Sequence, residues 1–139
     1  MSISVVYWSG TGNTQAMAEA VVEGIKAAGQ EAELLEVGNA DAKIVAAVDA
    51  LALGCPAMGA EVLEESEMEP FVEELESLVS GKKILLFGSY GWGDGEWMRN
   101  WEESCKEAGA NLVCDSVICQ EEPDDEATDA CKALGAALV

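Results

Sequence analysis

The chain of 139 residues contains no histidine, and Lys and Arg together number only 7. The first absence removes the side chain whose ordinary titration falls near neutral pH and the commonest nitrogen ligand of metals. Ser-His-Asp triads and histidine-bearing zinc sites are therefore excluded. The second leaves 27 Asp and Glu to set a formal net charge of -20, which repels nucleic acid and anionic membranes and makes a basic protein the natural partner. No stretch approaches the roughly 20 apolar residues of a membrane-spanning helix, and the opening "MSISVVYW" has no basic segment of the signal-peptide kind. The expectation is a soluble cytoplasmic protein that engages neither nucleic acid nor membrane. Cysteine is scattered and odd in number, five in all, so no disulfide framework is expected. Cys114 and Cys119 lie five apart in a strand-like run, which points them to opposite faces and is not metal-ligand spacing.

What is present is a regular alternation. Half the residues (50%) are apolar, enough for residues 1–139 to form a single domain with a full core. Short apolar runs at Ile3–Trp8, Glu33–Val37, Leu51–Gly54, Lys83–Gly88 and Leu112–Ile118 read as strands. Amphipathic stretches between them read as helices. The first spans about Thr14–Ala28, with Met17, Val21 and Ile25 on one face, and the second opens at Asp41 with Ile44, Val45 and Val48 aligned. A third starts from a Ser66/Glu69 capping box with Pro70 in its first turn and carries Phe71, Val72, Leu75, Leu78 and Val79. A fourth spans about Asp94–Ala108, with Trp97, Trp101 and Cys105 turned to the core, and a fifth opens near Asp124 with Ala127, Cys131, Leu134 and Leu138 inward. This βα alternation specifies an α/β fold, a parallel sheet covered by helices on both faces. In such folds ligands bind beyond the carboxyl ends of the strands, so the informative loops are Ser9–Thr14, Cys55–Ser66, Ser89–Asp94 and Cys119–Asp124.

The first of these, within "WSGTGNT", joins a strand directly to a helix. Its glycines free the backbone to aim N–H groups and the positive end of the helix dipole at one point, and Ser9, Thr11, Asn13 and Thr14 add side-chain donors. Neutral donors of this kind suit a phosphate, and the same residues also suit an ordinary capped turn. Neither the Walker Gly-Lys-Ser/Thr ending nor the three spaced glycines of the dinucleotide fingerprint is present. In "CPAMGAEVLEES" an exposed methionine beside glycine, Met58, suits packing against a flat polarisable ring, although a methionine taken alone is more often core. In "SYGWGDGEW" glycines alternate with aromatics over Tyr90, Gly91, Trp92 and Gly93, which permits close backbone approach and offers Trp92 as a stacking face.

Together "WSGTGNT", "GCPAMG" and "GSYGWGDGEWM" resemble the short-chain flavodoxins of anaerobic bacteria, and the likeness extends over essentially the whole chain. The resemblance implies a flavodoxin-like three-layer sandwich with a five-stranded parallel sheet in the order 2-1-3-4-5, and FMN as cofactor. It implies that Ser9, Gly10, Thr11, Gly12, Asn13 and Thr14 hold the phosphate, with Ser89 as a further candidate contact. It implies a ring set between the Ala57, Met58, Gly59, Ala60 and Glu61 segment and the Tyr90, Gly91, Trp92 and Gly93 segment. In that arrangement Met58 and Trp92 flank the ring, Tyr90 and Gly91 line it by backbone, and Glu61 accepts from N3. Loop Cys119–Pro123 is placed over one edge. The function implied is that of a low-potential one-electron carrier, not an enzyme, cycling mainly between neutral semiquinone and hydroquinone. A monomer exchanging electrons in transient complexes with basic redox partners is implied as well.

Charge adds to this. Carboxylates near the ring, including eight Glu between Glu61 and Glu76, disfavour an anionic reduced flavin, and each tenfold difference in affinity moves a one-electron potential by about 59 mV. Most of the acids also suit a plain solvated exterior. The main competitor is an FMN-dependent quinone or NAD(P)H reductase of the same fold, which needs extra segments to hold a second substrate. A phosphoacceptor receiver needs acids at the ends of strands one and three, where this chain reads Trp8-Ser9 and Gly54-Cys55. The cysteines read as small buried hydrophobes, with Cys55, beside the site, the candidate for partial reactivity. In flavodoxins the turn after Met58 presents a carbonyl, here that of Gly59, to N5–H of the semiquinone. Ala60 occupies a type II position that glycine or asparagine meets more readily. Ala60→Gly is accordingly expected to widen the separation of the two one-electron potentials, as read by a spectroelectrochemical titration.

Overall fold

The five apolar runs are fixed by the need to pair their backbones while both faces are covered. In the computed structural model, which describes residues 2–59 and 61–139, they form strands β1 (Ile3–Tyr7), β2 (Glu33–Glu36), β3 (Ala50–Gly54), β4 (Lys83–Tyr90) and β5 (Val117–Gln120). The strands pair in parallel in the order β2-β1-β3-β4-β5, the order implied by the resemblance. The helices between them are α1 (Asn13–Ala27), α2 (Ala42–Ala46), α3 (Met68–Glu76), α4 (Glu96–Glu107) and α5 (Asp125–Leu138). Every residue of β1 and β3 is buried, whereas β2 and β5 at the sheet edges alternate or are largely exposed, as expected for central and edge strands.

Two cores flank the sheet. One packs Met17, Val21, Ile25, Cys131, Leu134 and Leu138 of α1 and α5 on Val5, Ala52 and Leu85. The other packs Val45, Met68, Phe71, Leu75, Trp97 and Trp101 of α2, α3 and α4 on Val6, Leu53 and Leu86. The helices α1 and α5 touch backbone to backbone, since a Cβ at Gly24 would stand 2.7 Å from the carbonyl carbon of Lys132.

Four local expectations differ from what forms. The last strand lies at Val117–Gln120 and not at Leu112–Ile118: the chain bridges Lys83 at Asn111, turns away over residues 112–116, and rejoins β4 where Val117 meets Phe87. Cys114 is thereby exposed in the excursion, and Cys119 alone of the pair sits in the strand. In α2, only five residues long, Val45 is buried while Ile44, one position and about 100° round the helix, is 70% exposed. Leu78, expected inward, lies past the end of α3 and is exposed.

The capping box is the fourth. Helix α3 begins at Met68, with no side-chain bond from its own cap residue Glu67, and Ser66 does not cap it. The buried Glu64 does: Oε1 accepts from the N–H of Glu67 (2.7 Å) and Met68 (3.0 Å), and Oε2 from the N–H (2.9 Å) and hydroxyl of Ser66. Burial alone opposes ionisation of this carboxyl. The hydrogen bonds from Ser66, Met68 and Glu67 outweigh it and hold the group below the ordinary glutamate range.

Removing this cap in Glu64→Ala is expected to destabilise the fold by about 1–2 kcal/mol at pH 7, read from the urea midpoint. Because the folded-state pKa is depressed, the contribution is complete above the ordinary glutamate value of about 4.3 and disappears as pH falls through the lower folded value. Wild type and variant should therefore converge in acid. Equal midpoints at neutral pH would refute the assignment.

Candidate functional site

Parallel pairing delivers every strand's carboxyl end to one edge, and a ladder of backbone bonds continues beyond the strands to hold the four following loops together. Trp8 N–H donates to the Gly54 carbonyl (3.0 Å), Cys55 N–H to Phe87 (3.2 Å), Ala57 N–H to Ser89 (2.9 Å) and Glu121 N–H to Tyr90 (2.7 Å). Between these loops opens a cleft of about 330 Å3. Its wall brings together Ser9, Gly10, Thr11, Asn13, Thr14, Ala57, Met58, Ser89, Tyr90 and Gly91 from the expected set, joined by Trp8, Pro56 and Glu121.

At the phosphate-type loop, Gly12 precedes α1 at φ 95, a left-handed conformation that a side chain resists. The Ser9 hydroxyl turns back into the loop and accepts from the N–H of Gly12 (3.1 Å) and Gln15 (3.3 Å). The loop is thus capped by its own serine. Among the described residues, the N–H groups of Thr11, Asn13 and Thr14 meet no acceptor and remain at the helix start. Thr14 is buried, and its hydroxyl pairs with that of Ser89 at 2.9 Å, which ties the first loop to the end of β4.

Gly12, Gly59, Glu61, Trp92 and Gly93 stand off the cleft wall, and Ala60 falls outside the described residues. Gly59 is exposed with open space around it, and Trp92 is 62% exposed. Glu61 N–H closes the turn onto the Met58 carbonyl (2.8 Å), and Met58 N–H bonds the Val62 carbonyl (2.9 Å). Two non-glycine residues beside the cleft hold left-handed backbone, Glu61 at φ 52 and Glu121 at φ 59, a geometry that costs roughly 1–2 kcal/mol each. One carboxylate oxygen of Glu61, Oε1, is buried without a hydrogen-bond donor. Gln120 clips the opposite wall, its Nε2 donating to the Gly91 carbonyl at 3.2 Å.

Of the residues that sequence reasoning did not single out, Pro56 lies inside a motif already marked and Glu121 inside a loop named only as a region. Trp8 directly follows β1, and an aromatic at a strand's carboxyl end was the available signal. Its ring packs against Gly10, where a Cβ would come within 3.1 Å. Trp97 and Trp101 are core, as their shared face implies.

The charges are polarised along the strand direction. Lys82 and Lys83 lie at the start of β4, and Lys26 and Lys106 in the last turns of α1 and α4, all at the edge remote from the cleft. Glu61, Asp94, Glu96, Glu121, Glu122 and Asp124 belong to the loops and helix starts on the cleft side. The cleft wall itself carries no Lys or Arg among the described residues. Nor does any group of three or more potential metal ligands occur among them.

Comparison with known proteins agrees with this fold. The family model described as Flavodoxin matches residues 5–135. The chain is 50% identical over 127 residues to a flavodoxin of Clostridium beijerinckii, spanning 91% of this chain and 92% of that one. It is 45% identical over 135 residues to a flavodoxin of Megasphaera elsdenii, spanning 97% and 96%. The solution structure of the two-electron reduced Megasphaera elsdenii flavodoxin superposes with a TM-score of 0.90 at 46% identity, covering 98% of this chain and 97% of that one.

Cys55 is fully buried, and burial pushes its thiol up to about 12, so it is not the reactive group its position suggested. Cys105 and Cys131 are pushed up to about 12 by the same cause. A thiol reagent at pH 8 should label Cys114 first and Cys119 more slowly. Cys55, Cys105 and Cys131 should react only after denaturation. Rapid labelling of Cys55 in the folded protein would contradict the packing around it.

Proposed function

The chain belongs to the flavodoxin family, electron-transfer proteins whose cofactor is FMN, and from that premise we propose a low-potential carrier that shuttles single electrons between redox enzymes. The observation that carries this reading is the meeting, in one cleft without a cation on its wall, of a loop of neutral donors with half-buried Trp8, Met58 and Tyr90. The residues fit the cofactor by their chemistry. The unpaired N–H groups at the start of α1 suit a phosphate, the apolar wall suits a flat ring, and the orphaned Glu61 oxygen suits a ring N–H.

When bound, FMN supplies reversible one-electron transfer, here between its half-reduced and fully reduced levels. Residues Ser9–Thr14 hold the phosphate through amides and hydroxyls, with the Thr14–Ser89 pair stiffening that grip. Met58 and Trp92 flank the ring, Ala57, Tyr90 and Gly91 line it, and Glu61 accepts from N3. The open space about Gly59 leaves its carbonyl room to turn toward N5. Since the phosphate is held without added cations, the acidic surround acts undiluted on the ring, disfavours negative charge there and so lowers the potential for the second electron. The same carboxylates steer basic patches of partner proteins into brief complexes. The chain acts as a single-domain monomer in the cytoplasm; among the described residues no helix is long and apolar enough to cross a membrane.

The test is titration of the flavin-free protein with FMN and with riboflavin, followed by quenching of flavin fluorescence. FMN should bind one to one and riboflavin about 100-fold more weakly, because several charge-assisted hydrogen bonds are lost with the phosphate. No uptake of FMN, or equal affinity for both, would end the reading. Electron transfer to a basic cytochrome should slow as ionic strength rises, and a rate independent of salt would remove the docking proposal.

A further inference from the structure

Glu61 is half-buried, with one carboxylate oxygen hidden from water, and that carboxylate does not rest in its own loop. It lies against the backbone of the loop after β4, where Gly93 adopts φ 88. A Cβ built at Gly93 would stand 2.6 Å from Glu61 Cδ, whereas real Cβ atoms essentially never come within 3.0 Å of a heavy atom. On its own side Glu61 is held firmly: its N–H is tied to Met58, the neighbouring Val62 carbonyl accepts from Met58 N–H, and its backbone stays left-handed. A carboxylate oxygen hidden from water without a donor is unfavourable. A strained backbone and an unpaired buried acceptor at the same residue mark a group shaped for something that arrives later.

We infer that Gly93 is a positioning residue, the seat on which the Glu61 carboxylate rests, so that the loop after β4 decides whether the loop after β3 can present its acceptor to a ring N–H. The inference rests on the FMN reading of the cleft and goes beyond it by assigning Gly93 to Glu61 and not to the ring. Any side chain at position 93 expels the carboxylate toward water, where hydration satisfies it and the ring N–H loses its partner.

Alanine at this position brings two effects, overlap and left-handed strain. Gly93→Asn separates them, since asparagine tolerates positive φ yet carries the same Cβ. Each variant, and each combined with Glu61→Ala, is titrated with FMN and with FMN methylated at N3, which lacks the hydrogen to donate. Comparing the two flavins within one variant cancels any general loss of folding. Wild type should prefer FMN over the N3-methyl form. Gly93→Asn and Gly93→Ala should lose on the order of tenfold in FMN affinity, and with it that preference. In the Glu61→Ala background Gly93→Asn should cost nothing further. Independent, additive losses would overturn the seat, as would a preference for FMN that survives Gly93→Asn, while leaving the FMN reading intact. Failure of the wild-type chain to take up FMN would overturn the cleft reading and the seat together.

Discussion

Backbone amides at the start of α1 are left free for the work that lysine and arginine perform in many phosphate sites. The N–H groups of Thr11, Asn13 and Thr14 point where no protein acceptor meets them among the described residues, and the helix dipole adds to their pull. Their direction depends on two neighbours. Gly12 supplies the left-handed step into the helix, and the Ser9 hydroxyl fixes the loop from inside. The helix is anchored in turn by β1, buried between β2 and β3, and by its close contact with α5 at Gly24. On the proposed reading, a chain of net charge -20 thus holds an anion without adding cations around the ring.

Much of this was legible in the sequence because it is written in local period and local punctuation. The runs "SVVY" and "ILLF" sit in strands, and the glycine-rich segments after them form the loops of the cleft. Where reading failed, a distant contact had outvoted the local pattern. Leu112–Ile118 has the composition of a strand, but the register with Phe87–Tyr90 is taken up five residues later. Ser66 and Glu69 have the spacing of a capping box, but Glu64 takes both of its N–H groups from upstream, that of Ser66 on its carboxylate and that of Glu69 on its backbone carbonyl.

The site shows the same division. The identity of the loops follows from their position after strands, while the division of labour within them depends on tertiary placement. Trp8 joins the wall because the sheet ends beside it, and Glu121 because its N–H is captured by Tyr90. Gly93 looks in sequence like one more glycine that lets a ligand approach. Its neighbour in space is a side chain from another loop, more than thirty residues away.

The uneven placement of charge makes the molecule an electric dipole as well as an anion, with its negative pole on the cleft side, where Lys43 and Arg99 lie among many carboxylates, and four of the seven Lys and Arg at the far end. In the field of a positively charged surface such a body experiences a torque before it makes contact. On an amine-coated electrode it will therefore land cleft first, with the cofactor edge against the conductor, and an unmodified film of this protein becomes an oriented one.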